Sequence, residues 1–377
     1  MISLPVQKLR PGMIVAQGVY NKEGASYLTR GTTMNDQYID QLKKIGINSI
    51  AVTSMSSDFK IEPPEEIIQE RTRVKAIHRV YSTFEKLDET GELNVEPLEE
   101  TSESILVDIL SNKNNLVQLT DIRKHDDYTF AHCVNVSVLS GMLGSIIHLE
   151  RQDMLNLILG GLLHDIGKLV IPQEILTKTG RLNDNEFNII KMHPKAGRDR
   201  LRTLPIPSAP ILATIAMQHH EHMDGRGYPN HVMGDAIHRF SRIVAIADVY
   251  DALTSRRAYK PAYKPHIAFK IMTKCSPGQF DEDLLQQFFN NIAIYPVGTV
   301  LKTTLGYGIV KSSTFGYTLT PTICVFADGR QNLLQHPFDV DLRSCPPDTV
   351  QQAVEDSDLL PLMTKIRRDP AEFLRAG

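Results

Sequence analysis

The segment of residues 155–163 is apolar on nearly every side, as expected for a helix buried in a protein core. It runs directly into His164 and Asp165. A carboxylate at the end of a buried helix is unfavourable unless it pairs with a cation or binds a metal. Lys168, three residues after Asp165, offers an ordinary ion pair on the same helical side. The segment therefore predicts a buried helix whose polar end needs a partner, and both metal binding and ion pairing remain open.

Four other apolar helical segments carry similar side chains at their boundaries, and ten of the 13 histidines fall between residues 125 and 238. The side chains at these boundaries are His132, His193, His219, His220 and Asp248. Each alone is more often a satisfied core or boundary group, but five such segments are hard to explain by chance. Imidazole with carboxylate suits iron, manganese, zinc or nickel, and the lack of cysteine ligands argues against a structural zinc site. The set exceeds the needs of one ion, so we expect two ions bridged by Asp165, about 3.5–4 Å apart.

The composition describes an ordinary soluble globular protein with 42% hydrophobic and 23% charged residues. The net charge of −3 excludes a generally basic chain that coats polymeric nucleic acid. The first residues lack the pattern of a signal peptide, and the apolar stretch 155–171 is too short and too polar to span a bilayer. The four cysteines form no CxxC pair, which favours reduced thiols. We therefore expect a cytoplasmic protein without a membrane segment.

Glycine and proline residues that favour turns divide the 377 residues into four parts. Residues 1–55 predict a small α+β module, with a helix from Asn35 to Ile45 and a strand at 50–52. Residues 56–115 predict a linker and polar helices broken near Gly91, and residues 116–294 predict a mostly helical domain. Residues 295–377 predict a β extension, followed by a helical tail from about Pro347. The predicted fold class is mainly α.

Several motifs give the chain a specific resemblance. The sequences His164-Asp165-Ile166-Gly167-Lys168, His193-Pro194 and His219-His220-Glu221 resemble the HD superfamily of metal-dependent phosphohydrolases. The sequence DGRGYP at 224–229 narrows the resemblance to the HD-GYP family, and residues 246–254 are also typical of it. The motifs occur in the family order and cover about residues 116–290. The resemblance implies an all-helical catalytic domain that hydrolyses cyclic di-GMP, a bacterial second messenger, to pGpG and in some members onward to GMP.

The resemblance also assigns roles residue by residue. It implies these metal ligands: His132, His164, Asp165, His193, His219, His220 and Asp248. Asp165 and Lys168 would be catalytic, with Lys168 assisting the phosphate or the leaving group. Tyr228, Arg257 and Lys260 would bind substrate phosphates, and Asp126 is a further candidate contact. The family usually has an Arg-Trp pair after His-His-Glu, where this chain has His222-Met223 and no tryptophan at all.

The number of metals follows from a departure at Tyr128. In HD-GYP members that hold three ions, a glutamate stands four residues before the first ligand histidine, and here Tyr128 stands four before His132. A phenol with a pKa near about 10 is a poor ligand at neutral pH. We therefore expect two divalent ions, iron or manganese. The alternative is that Asp126 or Asp127 reaches a third site.

Three further readings compete with cyclic di-GMP hydrolysis. The enzyme could prefer the hybrid 3′,3′-cyclic GMP-AMP. The domain could also be a nucleotide-binding regulatory module without turnover, although all seven ligand positions are filled. A di-iron oxygenase on the same scaffold is disfavoured by the candidate phosphate-binding residues. The sequence leaves a homodimer or a signalling-protein partner open.

Overall fold

A computed structural model describes residues 2–15, 18–20, 26–29, 31–47, 49–53, 67–112, 128–255, 262–275 and 278–354. The chain forms two compact units. Unit 1 comprises Met1–Glu62 and Gln69–His78, and unit 2 comprises Pro63–Ile68 and Arg79–Gly377. The predicted substrate residues Asp126, Arg257 and Lys260 lie outside the described residues, as does the whole of the predicted linker at 56–64.

Unit 1 is a small α+β module, as its sequence predicts. It contains β1 (Ile2–Pro5), β2 (Ile14–Val15), β3 (Val19–Tyr20), β4 (Ser26–Leu28), α1 (Asp36–Lys44) and β5 (Ser49–Thr53). The antiparallel sheet has the order β1-β5-β2, and β3 pairs with β4. The side chain of Asn35 caps α1 by accepting from the Tyr38 amide, and Gly46 follows the helix at a positive φ of 75°.

Unit 2 is mainly helical, which confirms the predicted fold class. Its helices are α2 (Glu70–Thr90, shared with unit 1), α3 (Glu96–Ser111), α4 (Tyr128–Ile146), α5 (Arg151–Leu163), α6 (Gln173–Leu176), α7 (Asp184–Ile190), α8 (His193–Leu201), α9 (Ala209–Gln218), α10 (Arg239–Thr254), α11 (Pro265–Lys270) and α12 (Glu282–Asn290). A 3₁₀ helix, Ile166–Val170, follows α5, and a π-helix, Ile271–Cys275, follows α11. Helix α3 packs on α4 and α5, so the end of the predicted 56–115 segment belongs to the same compact unit.

Glycines allow the site-bearing elements to approach closely. A Cβ on Gly161 of α5 would lie 2.6 Å from the Ser137 Cα of α4. A Cβ on Gly167 would lie 2.0 Å from the carbonyl oxygen of His193. No real side chain tolerates such contacts, so both positions require glycine. The backbone therefore brings α4, α5 and α8 together where their histidines meet.

Helix α4 packs against α5 and α10 in the core of the unit. Within the described residues it is the one helix long and apolar enough to cross a membrane by composition, over Thr129–Ile146. However, 72% of that window is buried in the protein, and the window includes His132. These properties fit the core helix of a folded domain.

The C-terminal part of unit 2 is a five-stranded antiparallel sheet. Its strands are β6 (Val300–Thr303), β7 (Gly306–Ser312), β8 (Thr322–Ala327), β9 (Leu333–Asp341) and β10 (Val350–Ala353), in the order β10-β6-β7-β8-β9. Apolar clusters form around Phe326 and around Val325, whose side chains alternate along β8. The predicted start of the helical tail near Pro347 is wrong, because Val350–Ala353 pairs with β6 and completes the sheet. Residues 355–377 lie outside the described residues.

Candidate active site

Asp165 lies at the centre of the candidate site, directly after α5. Its side chain is almost fully buried. The Oδ1 atom is 3.3 Å from His193 Nε2 and 3.8 Å from His219 Nε2, while Oδ2 is 3.3 Å from His164 Nε2. Among the residues that the structure describes, Oδ1 has no hydrogen-bond partner. A buried carboxylate oxygen facing several imidazoles is an acceptor that still needs a cation or a donor.

Backbone carbonyls fix the orientation of three of these histidines. The Nδ1 atoms of His164, His193 and His219 donate to the carbonyl oxygens of Gly161, Ile190 and Ala216 at 2.8, 2.7 and 2.9 Å. Since a carbonyl only accepts, each Nδ1 carries the proton, and each neutral ring presents an Nε2 lone pair. The Nε2 atoms of His193 and His219 lie 3.3 Å apart. Lone pairs that face each other and a carboxylate at this range repel, unless a cation lies among them.

His132 of α4 is held between carboxylates of two other elements. Its Nδ1 donates to Asp251 Oδ2 at 2.7 Å, and its Nε2 lies 3.1 Å from Asp248 Oδ1 and 3.8 Å from Asp165 Oδ2. Burial lowers the pKa of His132, but the hydrogen bonds to Asp248 and Asp251 outweigh it and raise the pKa to about 9. A proton at Nε2 therefore occupies the position from which this ring would ligate a cation.

His220 completes the cluster on the side of the DGRGYP loop. Its Nδ1 is 3.8 Å from Asp248 Oδ2, and its ring stacks on Tyr228 with centroids 4.7 Å apart. The amide of Tyr228 donates to the His220 carbonyl at 3.0 Å. A Cβ on Gly227 would lie 2.5 Å from the Glu221 Cα, so this glycine lets the loop close on the His219-His220-Glu221 segment.

Lys168 pairs with the central carboxylate. Its Nζ lies 2.5 Å from Asp165 Oδ2, and its side chain is 30% exposed whereas that of Asp165 is 1% exposed. The ammonium therefore stands between the buried carboxylate and solvent. The sequence left open a simple Asp165–Lys168 ion pair, and that pair is present. It does not explain the cluster of histidines around Asp165.

Burial sets the protonation of most groups in the cluster. Burial lowers the pKa of His193, lowers that of His219 well below its usual range, and lowers that of His220 to about 3. Burial alone would raise the pKa of Asp165, but Lys168 and His164 hold it well below its usual range. Neutral imidazoles around an ionised carboxylate are the protonation states that a divalent metal requires of its ligands.

Two overlapping groups could each hold a metal ion. One contains Asp165, His193, His219 and His220, and the other contains His132, His164 and Asp165. Asp165 belongs to both, as expected for a bridge, and Asp248 lies beside His132 and His220. Within the part of the chain that the structure describes, Asp165 Oδ1 and His164 Nε2 have no hydrogen-bond partner, which agrees with this arrangement. The residues present therefore fit a divalent metal centre.

The structure brings together all seven predicted ligands, together with Lys168 and Tyr228. Asp126, Arg257 and Lys260 cannot be placed in this geometry, because they lie outside the described residues. Of Tyr128 the structure describes only the backbone, at the first residue of α4. The individual roles of these residues remain predictions.

Sequence reasoning gave no role to two buried acids. Asp251 accepts from His132 Nδ1, from Asn135 Nδ2 at 2.8 Å and from Ser255 Oγ at 2.8 Å. Glu221 accepts from the Asn230 amide at 2.7 Å and so holds the end of the DGRGYP loop. Asp251 could have been found by its spacing, since it follows Asp248 by three residues and therefore lies on the same side of α10.

Comparison with known proteins identifies the helical part of unit 2. Residues 104–284 match the HD domain family. This chain carries an HD domain. The match confirms the resemblance indicated by the motifs, and an HD domain accounts for a divalent metal centre built from histidine and aspartate. The iron or manganese identity of the metal is a separate question.

Three curated relatives show how far the similarity of this HD domain protein extends. The chain is 28% identical to a cyclic di-GMP phosphodiesterase of Pseudomonas aeruginosa, over 88% of this chain and 86% of that protein. It is 38% identical to a cyclic di-GMP phosphodiesterase response regulator of Xanthomonas campestris pv. campestris, over 38% of each chain. It is 37% identical to a 3′3′-cGAMP-specific phosphodiesterase of Vibrio cholerae, over 45% of this chain and 39% of that protein. The chain therefore spans well under half of the latter two relatives.

Proposed function

We propose that this protein is a metal-dependent phosphodiesterase that hydrolyses cyclic di-GMP to pGpG. The observation that carries the proposal is Asp165, a buried carboxylate whose two oxygens face imidazole nitrogens from three elements and whose Oδ1 has no hydrogen-bond partner within the described part of the chain. Curated relatives named cyclic di-GMP phosphodiesterases support the substrate. The proposal includes a cytoplasmic location, in line with the free thiols of Cys133, Cys324 and Cys345.

The metal set of the proposal is His132, His164, Asp165, His193, His219, His220 and Asp248, with iron or manganese as the two ions. Such ions supply Lewis acidity to a phosphodiester and bring the pKa of a water molecule to about 7. The backbone carbonyls of Gly161, Ile190 and Ala216 hold three of the rings with Nε2 pointing inward. Such hydrogen bonds fix the tautomer and the orientation of a metal-binding histidine ring.

Lys168 and Tyr228 would act on the substrate from the solvent side of the cluster. The Lys168 ammonium, next to Asp165 and partly exposed, can neutralise the scissile phosphate or protonate the departing ribose 3′ oxygen. Burial raises the pKa of Tyr228, so its hydroxyl stays protonated and can donate to a phosphate oxygen. Arg257, Lys260 and Asp126 complete the proposed substrate contacts, the arginine being suited to bidentate phosphate binding.

A second candidate substrate is 3′,3′-cyclic GMP-AMP. The observation that favours it is the 37% identity to a phosphodiesterase named as specific for this hybrid. Both substrates place a phosphodiester between two purine nucleosides, so the same metal set would serve either one. Base contacts must therefore decide between them.

A turnover assay with the purified full chain tests the proposal. Cyclic di-GMP and 3′,3′-cyclic GMP-AMP are supplied separately, with and without added Fe²⁺ or Mn²⁺, and products are separated by chromatography. We expect metal-dependent release of the linear dinucleotide, with faster turnover of cyclic di-GMP. Faster cleavage of 3′,3′-cyclic GMP-AMP would identify the hybrid as the preferred substrate. Binding of either nucleotide without cleavage in all metals would show a regulatory module instead.

A further inference from the structure

A line of ring contacts leads from the metal cluster to the protein surface. The ring of His220 stacks on Tyr228 at 4.7 Å and 29°, and Tyr228 contacts Phe187 of α7 edge to face at 6.4 Å and 75°. His220 belongs to the proposed ligand set, and Tyr228 is partly exposed. Phe187 is the outer end of this line, with 46% of its surface exposed.

Core packing does not explain why a phenylalanine stands at this position. No residue of α7 is buried. The helix is instead held by its N-terminus, where Asn183 and Glu186 form a reciprocal capping box, and by the Lys178–Glu186 ion pair at 2.6 Å. Single exposed apolar side chains are common, so exposure alone means little. The informative feature is that a firmly capped helix presents this ring beside the metal cluster.

The surroundings of Phe187 suit a planar anionic ligand. The rings of Tyr228 and Phe187 meet at a steep angle of 75°, and the Lys191 ammonium lies over one face of the Phe187 ring, 4.9 Å from its centroid. Nucleobases stack on aromatic faces, and a nearby cation favours a ligand that carries phosphate. A nucleotide with its phosphate at the Asp165 cluster would stack its base on the face of Phe187 opposite Lys191.

We propose that Phe187 is the residue on which a purine base of the substrate stacks, with Tyr228 positioning the ring and Lys191 providing positive charge beside it. This inference rests on the proposed function and deepens it, because it adds a base subsite to a site otherwise described by its metal and phosphate contacts. Either purine could stack there, so this subsite adds affinity for a purine nucleotide and does not by itself select guanine over adenine.

A fluorescence experiment tests the stacking without turnover. The chain has no tryptophan, so Phe187→Trp introduces a single indole whose emission a stacked guanine quenches. Phe315→Trp is the matched control, since Phe315 is 45% exposed and lies in the C-terminal part of unit 2 beside Ile67 and Ile109. We expect GMP to quench Phe187→Trp and not Phe315→Trp, and ribose 5-phosphate to quench neither. Equal quenching of both variants by GMP, or equal effects of the two ligands on Phe187→Trp, would overturn the proposal.

Kinetics give a second readout that a structural role would not produce. Phe187→Leu keeps an apolar side chain but removes the π face, and we expect it to raise the KM for the cyclic dinucleotide by about 5- to 150-fold, with little change in kcat. Phe187→Tyr should restore the wild-type KM. An unchanged KM in Phe187→Leu would reject the stacking role.

The two proposals can fail separately. Turnover by the wild type with no GMP-specific quenching in Phe187→Trp would reject the base subsite and leave the phosphodiesterase standing. GMP-specific quenching in a protein that cleaves no cyclic dinucleotide would reject the phosphodiesterase and leave a purine nucleotide subsite.

Discussion

The helical part of the HD domain buries histidine and carboxylate side chains, whereas the described part of the C-terminal sheet keeps its carboxylates at the surface. Between residues 128 and 255, eight histidine, aspartate and glutamate side chains are buried. They are His132, His164, Asp165, His193, His219, Glu221, Asp248 and Asp251. Among the described residues from 295 to 354, the buried polar side chains are threonines, and the hydroxyls of Thr303 and Thr318 donate to backbone carbonyls at 2.8 and 2.7 Å.

The carboxylates of the sheet stay at its surface and pair locally. Asp339 of β9 lies 2.7 Å from Lys311 of β7, across the intervening strand β8, and Asp341 pairs with Arg343 two residues on. Burying an ionised group costs several kcal/mol unless it is paired or ligates a metal. The sheet keeps its ionised groups at the surface, whereas the helical part buries several of them in one cluster. The difference sets the helical cluster apart as the candidate functional site.

The largest expected effect separates a buried aspartate from an exposed one. Asp165→Ala removes the proposed bridging ligand, and we expect it to abolish hydrolysis and lower the bound metal, with the helical circular dichroism retained. His164→Ala should behave alike. The matched control is Asp339→Ala in the sheet, which should keep wild-type turnover and change the free energy of unfolding by about 0–1 kcal/mol. Full activity of Asp165→Ala would contradict the two-metal mechanism and the functional difference between the buried Asp165 and the exposed Asp339.

The next effect concerns groups predicted to bind phosphate without entering the buried cluster. Arg257→Ala and Lys260→Ala should each reduce kcat/KM by about 10- to 150-fold, because a charge-assisted hydrogen bond typically contributes about 1.5–3 kcal/mol. Metal content should stay at the wild-type value. Lys311→Ala, a lysine substitution in the sheet, serves as the control and should leave kcat/KM unchanged. If all three variants match the wild type, the basic run at 256–264 is an ordinary solvated surface.

A smaller effect is expected at Asp251, which accepts a hydrogen bond from the predicted ligand His132. Asp251→Asn keeps the shape of the side chain but can place an amide donor against His132 Nδ1–H. Loss of such an outer partner typically costs about 10- to 100-fold in metal affinity or activity. Competition with a chelator would measure the affinity directly. Ser255→Ala removes one of the donors to Asp251 and should cause a weaker loss. Equal metal affinity in Asp251→Asn and the wild type would show that the Asp251 carboxylate does not support metal binding.

The same contrast shows why sequence reasoning succeeded where it did. Strong local signals predicted the elements of unit 1, such as the Asn35 cap and Gly46 around α1, and the apolar run before His164 predicted the buried α5. The cluster itself was predictable because its members sit in short motifs. The separation of the Asp165 oxygens from the histidine nitrogens depends on long-range packing, such as the Gly161 and Gly167 contacts, and no local pattern encodes it.

The failures have equally specific causes. The segment Val350–Ala353 is too short for its sequence pattern to distinguish a strand from a helix, and its pairing with β6 makes it a strand. Asp251 was passed over because its partner, His132, lies 119 residues away in the chain. Phe187 carries no motif at all, and only its contact with Tyr228 sets it apart from an ordinary surface phenylalanine.

The last prediction concerns the number of metal ions bound per chain. The two overlapping ligand groups share Asp165, and α4 begins at Tyr128, one helical turn before His132. A neutral phenol offers little to a third cation at neutral pH, so elemental analysis of protein purified without chelators should give about two metal ions per chain. Tyr128→Glu restores the carboxylate found in family members with three ions and should raise the value towards three, while Tyr128→Phe should leave it at two. A reproducible value of three in the wild type and in Tyr128→Phe would show that another acid, such as Asp126 or Asp127, supplies the third site.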